Sequence, residues 1–316
     1  MEMNRVIENI LHFNSIAITY HQSPDGDALG SALGLMLGLR KLGKDAYIIS
    51  RDRVPDIYRF LPSTIEVRED LASPKENTKC LIIVDCGNVE RISGNIDISD
   101  SRTIINLDHH LSNNEYGDIN YVDTSASATG EIIYSLLKGL NVPIDASIAE
   151  CLYTAIITDT GSFKYPGTTS NTHSIAGDLI NTGINFPLIH RRIFENKPLQ
   201  KLKLYGQLLD KIELFLNDRL AILAINKEQG ETLGDNAEII SLQMQIDTIE
   251  VGAFLKQVDE GVKVSLRSKE KVDVRKIAES FGGGGHERAA GFLLKDINYI
   301  EKAKETIISI LEKELI

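Results

Sequence analysis

The sequence predicts an α/β fold, with a doubly wound parallel-sheet domain at the N-terminus and a smaller α+β domain at the C-terminus. Strand-like and helix-like segments alternate through residues 1–185, which is typical of a parallel sheet covered by helices. Beyond residue 215, strand-like segments are instead grouped ahead of helices, as in α+β domains. The 316-residue chain is long enough for two domains with separate cores.

The first domain is predicted to cover residues 1–190. Short apolar runs predict strands at 15–20, 45–50, 80–85 and 103–107. Longer periodic segments predict helices at 28–42, 127–140, 145–157 and 170–182. Glycines recur every four residues along the first of these helices, at positions 26, 30, 34 and 38. That spacing differs from a dinucleotide-binding loop and predicts one helix face that packs closely against the sheet.

Residues 191–215 are predicted to form a helical linker, and residues 216–316 the second domain. Its strands are expected at 219–225, 249–257, 261–267 and 290–294. Its helices are expected at 273–281 and 297–314. The close succession of strands before these helices predicts a mixed sheet.

Acidic and imidazole side chains recur where apolar runs end. They follow residues 15–20, 80–84, 103–107 and 152–158, and comprise His21, Asp25, Asp27, Asp85, Asp108, His109, His110 and Asp159. Because ligands bind at the carboxyl ends of strands in open α/β sheets, we expect these side chains to meet at one edge. Clustered carboxylates repel one another unless a cation holds them together. The sequence therefore predicts a metal site.

The spacing of the acids favours two neighbouring ions. Asp25 and Asp27 are two residues apart, so in an extended segment they point the same way and can each address one ion. Asp85 stands alone after its strand and has two oxygens with which to bridge them, while His109 and Asp159 add further ligands. Mixed His and Asp ligands suit first-row divalent ions and favour Mn²⁺, with Zn²⁺ and Co²⁺ also compatible. Taken alone, Asp25 fits a helix cap as well as a ligand.

A glycine run follows the predicted helix at 273–281. One glycine suffices to end a helix, whereas Gly282 to Gly285 indicate close approach of the backbone to another group. We interpret this segment as a cradle for an anion, with His286 as a further hydrogen-bond donor. Arg267 and Ser268, at a strand end in the same domain, could supply a guanidinium to a phosphate. The alternative, a flexible linker, is unusual between a helix and a strand.

Charge and composition narrow the classes of partner. A formal net charge of −11 disfavours binding of long nucleic acid through a basic surface. It is compatible with a small anionic substrate, because bound metal ions change the local potential. The sequence has no apolar segment long enough to span a membrane and no signal-peptide pattern, so a cytoplasmic protein is expected. The three cysteines lack C-x-x-C spacing and are expected to be structural.

Five motifs carry a family resemblance. They are His21-Gln-Ser-Pro-Asp25-Gly-Asp27, Val84-Asp85, Asp108-His109-His110, Thr158-Asp159-Thr160-Gly161 and the segment from Gly282 through His286 to Gly291. With these motifs the chain resembles, over nearly its whole length, the DHH-family phosphoesterases that carry a C-terminal DHHA1 domain. The resemblance implies a DHH catalytic domain followed by a smaller DHHA1 substrate-binding domain.

The resemblance also implies roles for individual residues. One metal ion would be held by His21, Asp25 and Asp85. The other would be held by Asp27, Asp85, His109 and Asp159. Asp108 would orient an imidazole, and His110 would face the substrate phosphate, assisted by Arg267. The implied substrate-binding residues of the DHHA1 domain are Gly283, Gly284, Gly285, His286, Arg267 and Ser268.

Within the family, the compact two-domain form most resembles bacterial oligoribonucleases that also dephosphorylate 3′-phosphoadenosine 5′-phosphate (pAp). The implied activity is two-metal-dependent hydrolysis of short RNA or DNA oligonucleotides to mononucleotides, removal of the 3′-phosphate of pAp, or both. The alternatives are a cyclic di-AMP or pApA phosphodiesterase, a manganese-dependent inorganic pyrophosphatase and a non-catalytic nucleotide sensor. The sequence does not rank these nucleotide substrates. A homodimer is compatible with the family.

Overall fold

The computed structural model describes residues 2–98, 101–233, 237–295, 297 and 299–315. The chain divides into two compact units, Met1–Asn196 and Lys197–Ile316. The first contains a parallel sheet and the second a mixed sheet, each combined with helices. The prediction of a parallel-sheet α/β domain followed by a smaller α+β domain is therefore confirmed.

Five parallel strands form the sheet of the first unit. They are β1 (Ser15–Thr19), β2 (Asp45–Ile48), β3 (Cys80–Val84), β4 (Thr103–Asp108) and β5 (Ile119–Val122). Their order is β2-β1-β3-β4-β5, so β1, β3 and β4 are adjacent. The four predicted strands are confirmed. Strand β5 was not predicted, because it is short, lies at the edge of the sheet and has few buried residues.

Helices cover one face of this sheet. They are α1 (Glu2–His12), α2 (Gly26–Lys41), α3 (Thr129–Gly139), α4 (Ala146–Asp159), α5 (Ser170–Asn181) and α6 (Phe186–His190). A π-helical turn, Arg191–Glu195, follows α6. Irregular chain and a short 3-10 helix, Val89–Arg91, pack against the opposite face, where Leu71, Val89 and Ile96 pack against a buried cluster that includes Leu81 and Ile83. Helix α4 confirms the helix predicted at 145–157, and Asp159 is its last residue.

The glycines of α2 pack against helices, which corrects the expectation of contact with the sheet. A Cβ atom added at Gly30 would lie 2.4 Å from the carbonyl oxygen of Cys151 in α4. At Gly34 it would lie 2.8 Å from Leu152 in α4, and at Gly38 2.4 Å from Leu137 in α3. Helix α2 is buried along most of its length. The glycines therefore allow close approach of three helices on the same side of the sheet.

Substitution of Gly30 by Ala is expected to destabilise the protein by ~1–3 kcal/mol, the usual range for overpacking a core. The backbone of α4 must shift to admit the methyl group, since the nearest atom is a carbonyl oxygen. Gly177 in α5 is the matched control, because a Cβ there meets no neighbouring atom within 4 Å in the described part of the chain. Gly177→Ala should instead stabilise the protein by roughly 0.5–1 kcal/mol. Urea denaturation followed by circular dichroism measures both; equal effects of the two changes would contradict the packing described.

The second unit is built on a six-stranded sheet. Its strands are β6 (Glu213–Phe215), β7 (Leu220–Ile225), β8 (Val251–Val258), β9 (Gly261–Ser268), β10 (Gly284–His286) and β11 (Ala289–Lys295). Their order is β10-β11-β9-β8-β7-β6, and all pairs are antiparallel except β7 with β8. Residues 213–215 are thus a strand where helix was predicted, and part of the glycine run is a strand rather than a loop.

Helices cover both faces of this sheet in part. They are α7 (Leu199–Leu209), α8 (Lys227–Leu233), α9 (Ala237–Gln243), α10 (Val274–Ser280) and α11 (Ile300–Leu315). Residues of α10 and α11 share one hydrophobic core with β7, β8, β9 and β11. Residues of α7, α8 and α9 pack over Leu223 and Phe254 on the opposite face. On that opposite face, helices α7, α8 and α9 therefore cover strands β7 and β8.

Candidate metal centre

The acidic and imidazole side chains of the first unit meet at the carboxyl edge of its sheet. Asp85 follows β3 directly, and Asp108, His109 and His110 end or follow β4. Asp25 is the N-cap of α2, Asp27 lies in its first turn, and the end of α4 supplies Asp159. Because β1, β3 and β4 are parallel neighbours, the segments that follow them emerge side by side.

These side chains form three overlapping clusters able to hold a metal ion. Within each cluster, one ligand atom per residue lies within 4.8 Å of the others. The clusters are His21 with Asp25 and Asp85, Asp27 with His109 and Asp159, and Asp85 with His109 and His110. The first contains the residues of one ligand set implied by the family resemblance, and the second contains those of the other set except Asp85.

Asp85 faces both sets with different oxygens. Its Oδ2 lies 3.4 Å from His21 Nε2, and its Oδ1 lies 3.7 Å from His109 Nε2. The side chain is buried, and its backbone has a left-handed conformation with φ of 54°, which is uncommon outside glycine. Such strain is retained where the surroundings fix it. The geometry fits a carboxylate that bridges two ions.

The remaining distances complete the two sets. Asp25 Oδ2 lies 3.7 Å from His21 Nε2. Asp159 Oδ2 and Asp27 Oδ2 lie 3.4 Å and 3.8 Å from His109 Nε2. Asp25 also caps α2, since its Oδ1 accepts hydrogen bonds of 3.0 Å from the backbone N–H groups of Asp27 and Ala28. The two interpretations of Asp25 are thus compatible, because each uses a different oxygen.

Backbone carbonyls orient the imidazoles of His21 and His109. His21 Nδ1 lies 2.9 Å from the carbonyl oxygen of Gln22, and His109 Nδ1 lies 3.2 Å from that of Ala126. Because a carbonyl only accepts, these contacts place the proton on Nδ1 and leave Nε2 as a ligand atom. His109 Nε2 is buried and has no hydrogen-bond partner among the described residues. A metal ion would satisfy it.

The raised pKa values of two of the acids also indicate a cation site. Burial, followed by the charges of Asp85, Asp159 and Asp25, raises the pKa of Asp27 well above its usual value. Burial also raises the pKa of Asp159 to about 6, against the opposing effect of His109. Carboxylates crowded in this way are stabilised in their ionised form by a cation. The donor set therefore fits divalent metal ions.

Asp108 has a different role from the other acids. Its Oδ1 accepts hydrogen bonds from His110 Nδ1 at 2.7 Å and from the backbone N–H of His109 at 2.8 Å. Burial opposes ionisation of Asp108, but the hydrogen bond from His110 holds its pKa below the usual value. Burial opposes protonation of His110, but the hydrogen bond to Asp108 and the charges of Asp85, Asp108 and Asp159 outweigh it and raise the pKa of His110 to about 9. Asp108 thus fixes the ring of His110 and favours its protonated form.

The amides of half-buried Asn113 and buried Asn106 support the pair of Asp108 and His110, and the sequence analysis missed them. Asn113 Nδ2 donates to Asp108 Oδ2 at 2.5 Å and to Asn106 Oδ1 at 2.8 Å. Asn106, fully buried in β4, donates to the carbonyl oxygen of Cys86 at 3.2 Å and to the hydroxyl of Tyr116. One available signal was a polar residue inside the apolar run 103–107. The cysteines are buried and free, in keeping with a structural role.

The predicted substrate-binding residues lie in the second unit. Arg267 on β9 is paired with Ala289 on β11, which is paired with His286 on β10. Because paired residues share a sheet face, Arg267 and His286 flank Ala289 on the face opposite the core residues Leu266 and Ala290. The Ser268 hydroxyl is buried and donates to the carbonyl oxygen of Val272 at 2.6 Å.

The glycine run approaches a neighbouring strand. A Cβ added at Gly283 would lie 2.2 Å from the carbonyl oxygen of Gly291, and one added at Gly285 would lie 2.4 Å from that of Ala289. These two glycines therefore allow β10 to approach β11. At Gly284, by contrast, an added Cβ meets no neighbouring atom within 4 Å in the described part of the chain. Gly284 pairs with Gly291 and shares the sheet face of His286.

Comparison with known proteins gives the family. The DHH family N-terminal domain matches residues 15–156, and the DHHA1 domain matches residues 217–313. The bifunctional oligoribonuclease and PAP phosphatase NrnA of Thermus thermophilus is 33% identical over 303 residues, which cover 95% of this chain and 90% of the relative. The Bacillus subtilis protein of the same name is 30% identical over 293 residues, covering 90% and 91%.

A solved structure is also similar. The crystal structure of an exopolyphosphatase-related protein from Bacteroides fragilis matches with a TM-score of 0.90 and 26% identity, covering 99% of this chain and 96% of that chain. Among the described residues, the helices are too short or too polar to cross a membrane. The resemblance found in the motifs is confirmed. The chain belongs to the DHH family, with an N-terminal DHH domain followed by a DHHA1 domain.

Proposed function

We propose that the protein is a two-metal-dependent phosphoesterase that hydrolyses short oligonucleotides to mononucleotides and removes the 3′-phosphate of pAp. The observation that carries this proposal is the position of Asp85, whose two oxygens face two separate sets of His and Asp ligands. The substrate class rests on the relatives, which are named oligoribonucleases and PAP phosphatases. The net charge of −11 further favours short oligonucleotides over long duplexes.

Two divalent ions, with Mn²⁺ favoured by the share of carboxylates, are the proposed cofactors. His21, Asp25 and Asp85 would hold one ion. Asp27, Asp85, His109 and Asp159 would hold the other. When bound, such a pair polarises phosphoryl oxygens and activates water for in-line displacement. The chain therefore needs no nucleophilic side chain of its own.

His110 is proposed to act on the substrate rather than as a ligand. Asp108 accepts a hydrogen bond from its Nδ1 at 2.7 Å and so fixes the ring beside Asp85, whose Oδ1 lies 3.6 Å from the same nitrogen. A protonated imidazole held at this edge stabilises negative charge that develops on phosphoryl oxygens. Asp108 contributes by positioning His110.

The second unit is proposed to bind the nucleotide through β9, β11 and β10, on the sheet face that its described helices α7, α8 and α9 cover over β7 and β8. Arg267 and His286 flank Ala289 on one face of that sheet. The next row of the same face holds only small residues, Ser265, Gly291 and Gly284. A guanidinium and an imidazole can bind a phosphate. The small residues beside them leave space on the sheet surface for the attached nucleoside. This arrangement supports the roles predicted for Arg267, His286 and Gly284.

Gly284→Leu is expected to raise the KM for short oligonucleotides about tenfold or more, equivalent to ~1.4 kcal/mol of lost binding. The new side chain would project over the face that carries His286, where it clashes with no described residue. Gly206→Leu in α7 is the matched control, because its Cβ also meets no neighbouring atom within 4 Å among the described residues. Steady-state kinetics should show a normal KM for the control. An unchanged KM for Gly284→Leu would argue against substrate binding on this face.

A substrate panel tests the proposed function. With Mn²⁺ present, release of products is measured from pyrophosphate, pAp, pApA, cyclic di-AMP and RNAs of increasing length. We expect mononucleotides from the shortest RNAs, phosphate from pAp, and weak activity on long strands. Turnover of cyclic di-AMP alone, or of pyrophosphate alone, would replace the proposal by the corresponding alternative. Binding without turnover of any of them would indicate a nucleotide sensor.

A further inference from the structure

Thr129, the first residue of α3, contacts two of the proposed metal ligands. Its side chain is fully buried. Its Oγ1 donates a hydrogen bond of 3.1 Å to Asp85 Oδ1, and its backbone N–H donates one of 2.7 Å to Asp27 Oδ2. Asp85 follows β3, and Asp27 lies in α2. Thr129 therefore connects ligands from two different elements to the start of α3.

The start of α3 depends on these contacts. The residue at its N-cap is Ala128, whose methyl side chain cannot accept a hydrogen bond. Asp27 takes that place from a distant part of the sequence, accepting from the N–H groups of Thr129 and of Gly130 at 2.7 and 2.9 Å. The N–H groups at the start of a helix have no hydrogen-bond partner within the helix, so they favour a carboxylate there. Asp27 is thereby held by backbone atoms, whatever the side chain at position 129.

Asp85 is held differently, because its partner is the side chain of Thr129. The strained left-handed backbone of Asp85 requires surrounding contacts to fix it. The hydroxyl occupies one acceptor position on Oδ1 and leaves Oδ2 to the set that contains His21. We propose that Thr129 is a positioning residue for the metal centre, and that its hydroxyl sets the orientation of the bridging carboxylate. The inference rests on the proposed function, since it requires ions bridged by Asp85.

Three substitutions isolate the hydroxyl. Thr129→Val replaces it with a methyl group of similar size. Thr129→Ser and Thr129→Ala both lose the methyl group and differ from each other only in the hydroxyl. Thr154→Val in α4 is the matched control, because Thr154 is also fully buried but its hydroxyl has no hydrogen-bond partner among the described residues.

Isothermal titration of the metal-free variants of this 316-residue chain with Mn²⁺ is the test. Loss of a residue that orients a ligand typically weakens metal binding by ~10–100-fold, and we expect that loss for Thr129→Val and Thr129→Ala. Thr129→Ser and Thr154→Val should bind Mn²⁺ as the wild type does. A difference in Mn²⁺ affinity between Thr129→Ser and Thr129→Ala distinguishes the effect of the hydroxyl from that of packing, even if Thr129→Val does not fold.

Equal affinity of the Ser and Ala variants would overturn the inference and leave the proposed function standing. Weaker binding by Thr154→Val to the same degree would also overturn it, since any buried hydroxyl would then have the same effect. A wild-type protein that binds no Mn²⁺ would overturn both the two-metal site and the role of Thr129. The titration involves no substrate, so it does not depend on which nucleotide is hydrolysed.

Discussion

Asp85→Asn is expected to abolish hydrolysis while leaving the fold intact. A metal centre contributes several kcal/mol to transition-state stabilisation, and 1.36 kcal/mol corresponds to tenfold in rate, so we expect a fall in kcat of about 10³-fold or more. Asparagine tolerates the left-handed backbone at this position. The change also removes a charge that raises the pKa of Asp27 in the metal-free protein.

Two measurements accompany this variant. Circular dichroism and urea unfolding of the metal-free protein should show a midpoint at or above that of the wild type. Asp259→Asn is the matched control, because Asp259 is exposed and forms an ion pair with Lys227 at the surface of the second unit. The control should keep full activity. An Asp85→Asn protein that turns over substrate at the wild-type rate would rule out the bridging role.

His110→Gln is expected to lower kcat by roughly 10²–10³-fold, as for the loss of one group that stabilises developing charge. Glutamine can still donate a hydrogen bond, but it carries no positive charge. The number of Mn²⁺ ions bound should remain unchanged, because His21 and His109 supply the proposed nitrogen ligands. His12→Gln, on an exposed histidine at the end of α1, is the matched control and should be silent.

Metal analysis of the same variant separates two roles for His110. Its Nδ1 lies 3.6 Å from Asp85 Oδ1, within one of the clusters able to hold an ion. Loss of an ion in His110→Gln would therefore make His110 a ligand and contradict its assignment to the substrate. Unchanged kcat would remove it from the reaction altogether.

Local patterns in the sequence predicted most of the fold. Strands β1, β3 and β4 are buried along most of their length, so they appear as largely apolar runs, interrupted in β4 by Asn106. Strands β5, β6 and β10 did not give such a signal, because each is short and partly or fully exposed. The glycines of α2 show a second limit. Their spacing identified a close-packed face, but only the three-dimensional structure shows that α4 and α3 pack against it.

The candidate metal ligands could be identified from the sequence because each follows a recognisable element within a short motif. The residues that orient them could not. Thr129 lies 102 residues from Asp27 and 44 residues from Asp85 along the chain. Thr129 resembles the many threonines found at helix starts, and the neighbouring sequence does not indicate which residues it contacts. Asn113 likewise acts through Asp108, and the contact depends on how the loop after β4 folds back.

Counting bound ions tests the central claim most directly. Metal-free protein is titrated with Mn²⁺, and the ions retained per chain are measured for the wild type, Asp25→Asn and Asp85→Asn. We predict two ions for the wild type, one for Asp25→Asn because Asp25 serves only one set, and a loss of tight binding at both positions for Asp85→Asn. A single ion in the wild type, or two tightly bound ions in Asp85→Asn, would contradict a centre bridged by Asp85.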